Sequence, residues 1–136
     1  IQIQLAELAT PNADIIQAEL LNYEIQENVF KGVWSRDFIH HINAENIPRV
    51  FSKIARGLVP GGIFMFIVRK GNGEGYEQDV EMGESVTKYY NYFQQSDIEQ
   101  LAHKSGLKVV EIKETRRSHE WLQVILKKPS ETVESN

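Results

Sequence analysis

Apolar residues run without interruption from Ile63 to Val68, and just ahead of them Ile47, Val50, Phe51, Ile54, Ala55 and Leu58 recur at i, i+3, i+4, i+7, i+8 and i+11. The second pattern is one face of an α-helix. Asn43 or Asn46 can cap it, and Pro48 favours Asn46 because a proline is tolerated in the first turn, where its missing N–H has no partner anyway. The first pattern, six apolar residues without alternation, predicts a strand covered on both faces, as in a parallel sheet with helices on either side. Between the two, Pro60-Gly61-Gly62 ends the helix and reverses the chain, the glycines being able to take positive φ.

The same reading extends along the chain. Ile1, Leu5, Leu8 and Ala9 sit at helical spacing, so a short helix is expected up to Thr10-Pro11-Asn12. Asp14 to Glu19 reads as a strand with Ile15, Ile16 and Ala18 turned to the core, and Phe30 to Ser35 as another, left through a loop or helical turn over Arg36 to Asn43. After Val68 comes a polar, glycine-containing loop, then an acidic stretch to Glu84. The aromatic cluster Tyr89 to Phe93 follows, either packing the sheet edge or forming a lid over an apolar acceptor. Ser96 with Glu99 forms a capping box for a helix presenting Ile98, Leu101 and Ala102 inward and ending at Gly106. Lys108 to Thr115 and Trp121 to Lys127, joined by a short turn, are expected to form an antiparallel pair. The alternation of strands and helices is that of a wound α/β domain over residues 1–128, with residues 129–136 a disordered tail.

Composition narrows the function. A chain of 136 residues, 41% hydrophobic, suffices for one modest core. The net charge of -4 leaves no basic field for a polyphosphate, so no nucleic-acid partner is expected. The absence of cysteine excludes disulfides, thiolate metal sites and a thiol nucleophile. No apolar run approaches the ~20 residues that span a bilayer, so no membrane partner is expected and the cytoplasm is the expected location. His40 and His41, with Asp37 near, are spaced i, i+1, poorly suited to share one ion, and no metal site is expected. Arg69 and Lys70 leave the apolar strand at its C-terminal end, where open α/β sheets bind ligands. They would either attract an anionic acceptor or stand in a solvated loop.

This order of elements resembles the C-terminal half of a class I S-adenosylmethionine-dependent methyltransferase. The most specific piece is Ile54-Ala55-Arg56-Gly57-Leu58-Val59-Pro60-Gly61-Gly62, similar to the family's passage from a helix into its fifth strand, with Val59 where the family carries lysine. The resemblance implies a Rossmann-like, mostly parallel sheet with helices on both faces, a C-terminal antiparallel hairpin and the N-terminal strands missing. Ala18-Glu19-Leu20 falls where the family has an acid closing its third strand. That implies that Glu19 accepts from the adenine amino group and that the Leu20 N–H meets a ring nitrogen; an ordinary exposed strand end is the alternative. Phe30 to Ser35 resembles the fourth strand, with Lys31 in place of the family's aspartate, which implies that Ser35 and Arg36 line the cofactor side of the cleft. His40 and His41 lie beyond, where the family often carries a histidine, implying a general base. A surface or capping role is the alternative, and side chains of adjacent residues diverge, so at most one should face the cleft. Gly71-Asn72-Gly73-Glu74-Gly75 alternates glycines like the family's cofactor turn but follows the wrong strand, has Arg69 where an acid should stand, and leads into no helix; it is read as a loop.

The expected activity is therefore methyl transfer from S-adenosylmethionine to a small-molecule acceptor. Ser35-Arg36-Asp37-Phe38 does not resemble the Asp/Asn-Pro-Pro-aromatic motif of base-amino methyltransferases, which argues against DNA as substrate. The reading from another class is a non-catalytic methyltransferase-like interaction module or inactive fragment. An open sheet edge would then favour a homodimer.

Overall fold

The computed structural model describes residues 4–8, 25–36 and 38–130. Five strands form one sheet in the order β1-β2-β3-β7-β6, where β1 is Gln4–Leu8, β2 Phe30–Ser35, β3 Leu58–Arg69, β6 Lys108–Arg116 and β7 Glu120–Lys127. β1, β2 and β3 run parallel; β7 is antiparallel to both β3 and β6. The apolar strand β3 is thus the middle of the sheet.

The helix expected over the first residues is not what forms: Gln4–Leu8 is a strand, paired to β2 with Ala6 opposite Val33. Ile1, Ile3 and Leu5 alternate with Gln2 and Gln4, so Ile1 and Leu5 fit a two-residue period as well as a helical one, and pairing with β2 decides between the two. The strand expected over Asp14 to Glu19 lies outside the described residues.

Helix α1 (Ile47–Gly57) starts at Asn46 with Pro48 in its first turn and runs directly into β3. Gly61 takes φ +86, while Gly62 is needed for close approach: a Cβ there would stand 2.8 Å from the Val59 oxygen. The second helix, α2 (Gln95–Ser105), begins two residues earlier than a Ser96 cap implies. The Asp97 carboxylate accepts the Gln94 N–H at 2.9 Å, so the box is built by Gln94 and Asp97 instead of Ser96 and Glu99. Gly106 closes the helix with φ +79.

Both helices contribute to one core. Val50, Phe51 and Ile54 of α1 and Ile98 and Ala102 of α2 join Val33, Phe64, Phe66, Val68, Leu122, Val124 and Leu126 of the sheet. The Phe51 ring lies 5.5 Å from those of Phe64 and Phe66. Helices were expected on both faces, but among the described residues both α-helices pack on this one. On the other face Trp34, Met65, Ile67 and Ile125 line a shallow cavity of about 150 Å³ with Gln123 and Lys113, and Met65 is 38% exposed. The side chains of β3 do alternate between covered and open; because both sets are apolar, the alternation is invisible in the sequence.

The loop and acidic stretch after β3 contain a second, two-stranded sheet: β4 (Glu74–Glu81) and β5 (Glu84–Asn91), antiparallel and joined at Met82-Gly83, whose φ values are +53 and +81. Two consecutive residues with positive φ make the tight turn whose twist suits a hairpin. The glycines before it are structural. A Cβ on Gly71 would lie 3.0 Å from the Tyr92 Cβ, and Gly73 takes φ +71.

Candidate functional site

Because β2 and β3 are parallel, their C-terminal ends lie on one rim of the sheet, with Ser35 opposite Phe66. β7 runs the other way, so the turn joining β6 to β7 reaches the same rim, where Trp121 pairs with Arg69. Ligands of open α/β sheets bind at such a rim. Ser35 is fully buried there, and its hydroxyl oxygen has no hydrogen-bond partner among the described residues. An orphaned buried hydroxyl is costly, so its place at the rim calls for an explanation.

His40 and His41 lie in a 3-10 turn, Ile39–His41, directly beyond this rim, and both are buried. The His41 Nδ1 is 2.8 Å from the Tyr89 carbonyl oxygen. A carbonyl only accepts, so Nδ1 is the donor, and in a neutral ring Nε2 is then the unprotonated nitrogen. Tyr90 packs on both rings, with centroids 5.2 Å from His40 and 4.6 Å from His41, and Trp121 lies 5.9 Å from His40. The expected divergence of the two side chains is therefore absent: both meet Tyr90.

On the far side of Tyr90 sits Arg69, its guanidinium carbon 4.6 Å from that ring and 5.2 Å from the Trp121 ring. Arg69 is nearly fully buried and forks onto the Glu77 carboxylate, which also accepts the Tyr92 hydroxyl. Burial alone would raise the Glu77 carboxyl, but the Tyr92 hydrogen bond and the Arg69 charge outweigh it and hold the group below its ordinary value. Burial and the bond to Glu77 push the Tyr92 hydroxyl up to about 12; burial and a bond to Glu74 do the same for Tyr89. The Tyr89 hydroxyl also accepts the Ala44 N–H at 3.2 Å. The β4–β5 hairpin is thus tied down over the histidines at three points. Of the two cations read either as meeting an anionic acceptor or as standing in a solvated loop, Arg69 is buried in β3 and spent on Glu77, and Lys70 pairs with Glu114 at 3.0 Å and Glu120 at 4.0 Å.

Beside this cluster is a cleft of about 370 Å³, lined by Arg36, Ile67, Thr115, Arg117, Ser118 and Trp121. The rim thus brings together Ser35, Arg36, His40 and His41. Glu19, Leu20 and Asp37 lie outside the described residues. Glu77 and Trp121 were not signalled by any motif, and Tyr90 only as one of the aromatic cluster Tyr89 to Phe93; they become neighbours only through the hairpin and the β3–β7 pairing. Among the described residues no three His, Asp or Glu side chains gather as metal ligands, and no helix is long and apolar enough to cross a membrane.

Residues 2–66 match a family model described as a methyltransferase domain. No curated protein matches the sequence. Among solved structures, an S-adenosylmethionine-dependent methyltransferase of Methanosarcina mazei superposes with a TM-score of 0.67 at 14% identity, over 82% of this chain and 65% of that one. The 1,6-didemethyltoxoflavin-N1-methyltransferase of Burkholderia thailandensis, solved with 1,6-didemethyltoxoflavin and S-adenosylhomocysteine, gives 0.65 at 12%, over 94% and 71%. An S-adenosylmethionine-dependent methyltransferase of Clostridium acetobutylicum gives 0.67 at 11%, over 96% and 85%. These likenesses establish the α/β, Rossmann-like fold. The chain spans about two thirds of the length of the Methanosarcina protein.

Proposed function

We propose, from the premise that the chain belongs to the class I S-adenosylmethionine-dependent methyltransferases, that the protein of which it is part moves a methyl group from that cofactor to a small-molecule acceptor. The observation that carries the reading is the orphaned, buried Ser35 hydroxyl at the C-terminal end of β2, in the place a cofactor cleft needs a polar anchor. Ser35, together with Glu19 and Leu20, would hold the cofactor. When bound, S-adenosylmethionine supplies an electrophilic methyl group on a sulfonium.

The chain's own part is alignment and proton transfer. Tyr90, Trp121 and the hairpin exclude water from the histidine side of the rim, which keeps an acceptor oriented and strengthens polar contacts within it. His41, with Nδ1–H held by the Tyr89 carbonyl, offers Nε2 to the acceptor's departing proton. His40 packs between His41 and Trp121 and is assigned a positioning role. A homodimer would form through the β1 edge: the opposite edge, β6, is protected by Lys108, Glu111, Lys113, Glu114 and Arg116 and by a register shift after Val109.

Calorimetric titration of the chain with S-adenosylhomocysteine tests the reading; saturable binding is expected, and a flat titration would overturn it. With methyl-labelled S-adenosylmethionine and a panel of small amines, phenols and carboxylates, His41→Ala is expected to lower label transfer ~100-fold while leaving cofactor affinity unchanged.

A further inference from the structure

We propose that Arg36 and Arg117 form an oxyanion site that holds a carboxylate or phosphate group of the acceptor, with the acceptor's planar or apolar part against Trp121. The inference deepens the methyltransferase reading and rests on it for the word acceptor.

The chain has six arginines. Arg56 pairs with Glu27 at 3.7 Å, Arg69 with Glu77, and Arg116 with Glu120 at 3.8 Å, while Arg49 has its own interactions. Arg36 and Arg117 differ from these. Neither guanidinium enters an ion pair or hydrogen bond with a described residue, and the Arg36 guanidinium carbon lies 6.0 Å from the Trp34 ring centroid. Both line the same cleft, and none of the described residues lining it carries a carboxylate, although acids outnumber bases by 19 to 15 in the chain. Two unpaired guanidiniums left facing one concavity in an acidic protein carry a local positive potential, and a guanidinium matches the geometry of carboxylate and phosphate oxygens. Thr115 and Ser118 add hydroxyls at the same wall, and Ile67 supplies an apolar floor.

The location gives the site its purpose. Trp121 lines this cleft and also stands 5.9 Å from the His40 ring and 5.2 Å from the Arg69 guanidinium carbon. A molecule resting on the indole is thus next to the histidine cluster, while Ser35 belongs to the parallel strands on the other flank of Arg36. The volume, about 370 Å³, suits a small ring bearing one charged group and falls within the range of ligand pockets.

The test uses the full chain and follows tryptophan fluorescence, because the only two tryptophans, Trp34 and Trp121, both adjoin Arg36 or the cleft. Phenyl phosphate and benzoate are the probes, benzyl alcohol the neutral control and inorganic phosphate the ring-free control. Saturable binding is expected for at least one charged ring, tighter than for either control. Arg117→Gln should weaken it about tenfold or more, Arg117→Lys less, with the thermal midpoint and S-adenosylhomocysteine affinity unchanged. If Arg117→Gln does not fold, Arg117→Lys provides the comparison with S-adenosylhomocysteine, and Arg36→Gln is read for phenyl phosphate binding alone, because Arg36 is also expected on the cofactor side of the cleft.

The site is overturned if benzyl alcohol binds as tightly as the charged rings, or if neither arginine matters. It is also overturned if Arg117→Gln weakens S-adenosylhomocysteine as much as phenyl phosphate, which would assign the arginines to the cofactor's carboxylate. Arginine-dependent anion binding without S-adenosylhomocysteine binding would sink the methyltransferase reading and leave the oxyanion site standing. The reverse result would sink the site alone.

Discussion

The two faces of the central strand differ in what meets them, not in what they are made of. Phe64, Phe66 and Val68 are fully buried beneath α1 and α2, while their neighbours in the same strand grade from Met65, 38% exposed, through the half-buried Ile67 to Arg69, 4% exposed. An apolar run therefore reports a capacity for burial, and only the packing of other elements shows whether that capacity is used. The gradient along the open row has a local cause: the hairpin β4–β5 comes down only at the rim, where Tyr90 and Glu77 close over Arg69.

The contrast breaks most sharply at adjacent residues. Phe66→Ala should cost about 3–5 kcal/mol, the usual loss for a fully buried phenylalanine, against under about 1 kcal/mol for Met65→Ala, read by urea denaturation of each variant. Equal costs would show the second face to be covered as well as the first.

A smaller effect tests the one point where the open row is closed. The folded state lowers the Glu77 carboxyl, so its contribution is present in full above the ordinary value of 4.5 and is lost as pH falls through the folded value. Glu77→Gln should flatten that acid limb and, at neutral pH, cost about 1–2 kcal/mol, since the pair is partly screened by water. Parallel wild-type and variant stability curves between neutral pH and pH 3 would refute the tie. Smallest is Gly106→Ala, which forces a side chain into φ +79 at the end of the covering helix and should cost about 1 kcal/mol in the same assay.

What the sequence made legible was set by local chemistry. The stripe from Ile47 to Ala55, the β2 boundaries and the Gly106 cap each depend on a few neighbouring residues, and each forms where the pattern puts it; the reversal expected at Pro60-Gly61-Gly62 does not, because α1 already ends at Gly57 and these three residues lie inside β3. The misreadings were cases where local patterns were degenerate. Ile1 and Leu5 fit two periods, and an acidic stretch with Tyr76 and Val80 on its outer face hid the hairpin because that face is solvated. For the site, the residues after β2 could be placed on the rim from their position alone. Arg69 meeting Glu77, and Trp121 meeting His40, depend on pairings between distant strands that no spacing encodes.

One consequence follows from the place of β7. It follows every other described strand of the sheet in the chain, yet it lies between β3 and β6, and the Lys128 ammonium beyond it reaches back to the Leu58 carbonyl at 2.7 Å. During synthesis, β3 and β6 have no bridge until Lys127 has left the ribosome, so the half-built sheet must wait with two unsatisfied strand edges exposed. A ribosome stalled shortly before that residue would hold a nascent chain prone to chaperone capture and proteolysis, and its release would let the domain assemble in one late cooperative step.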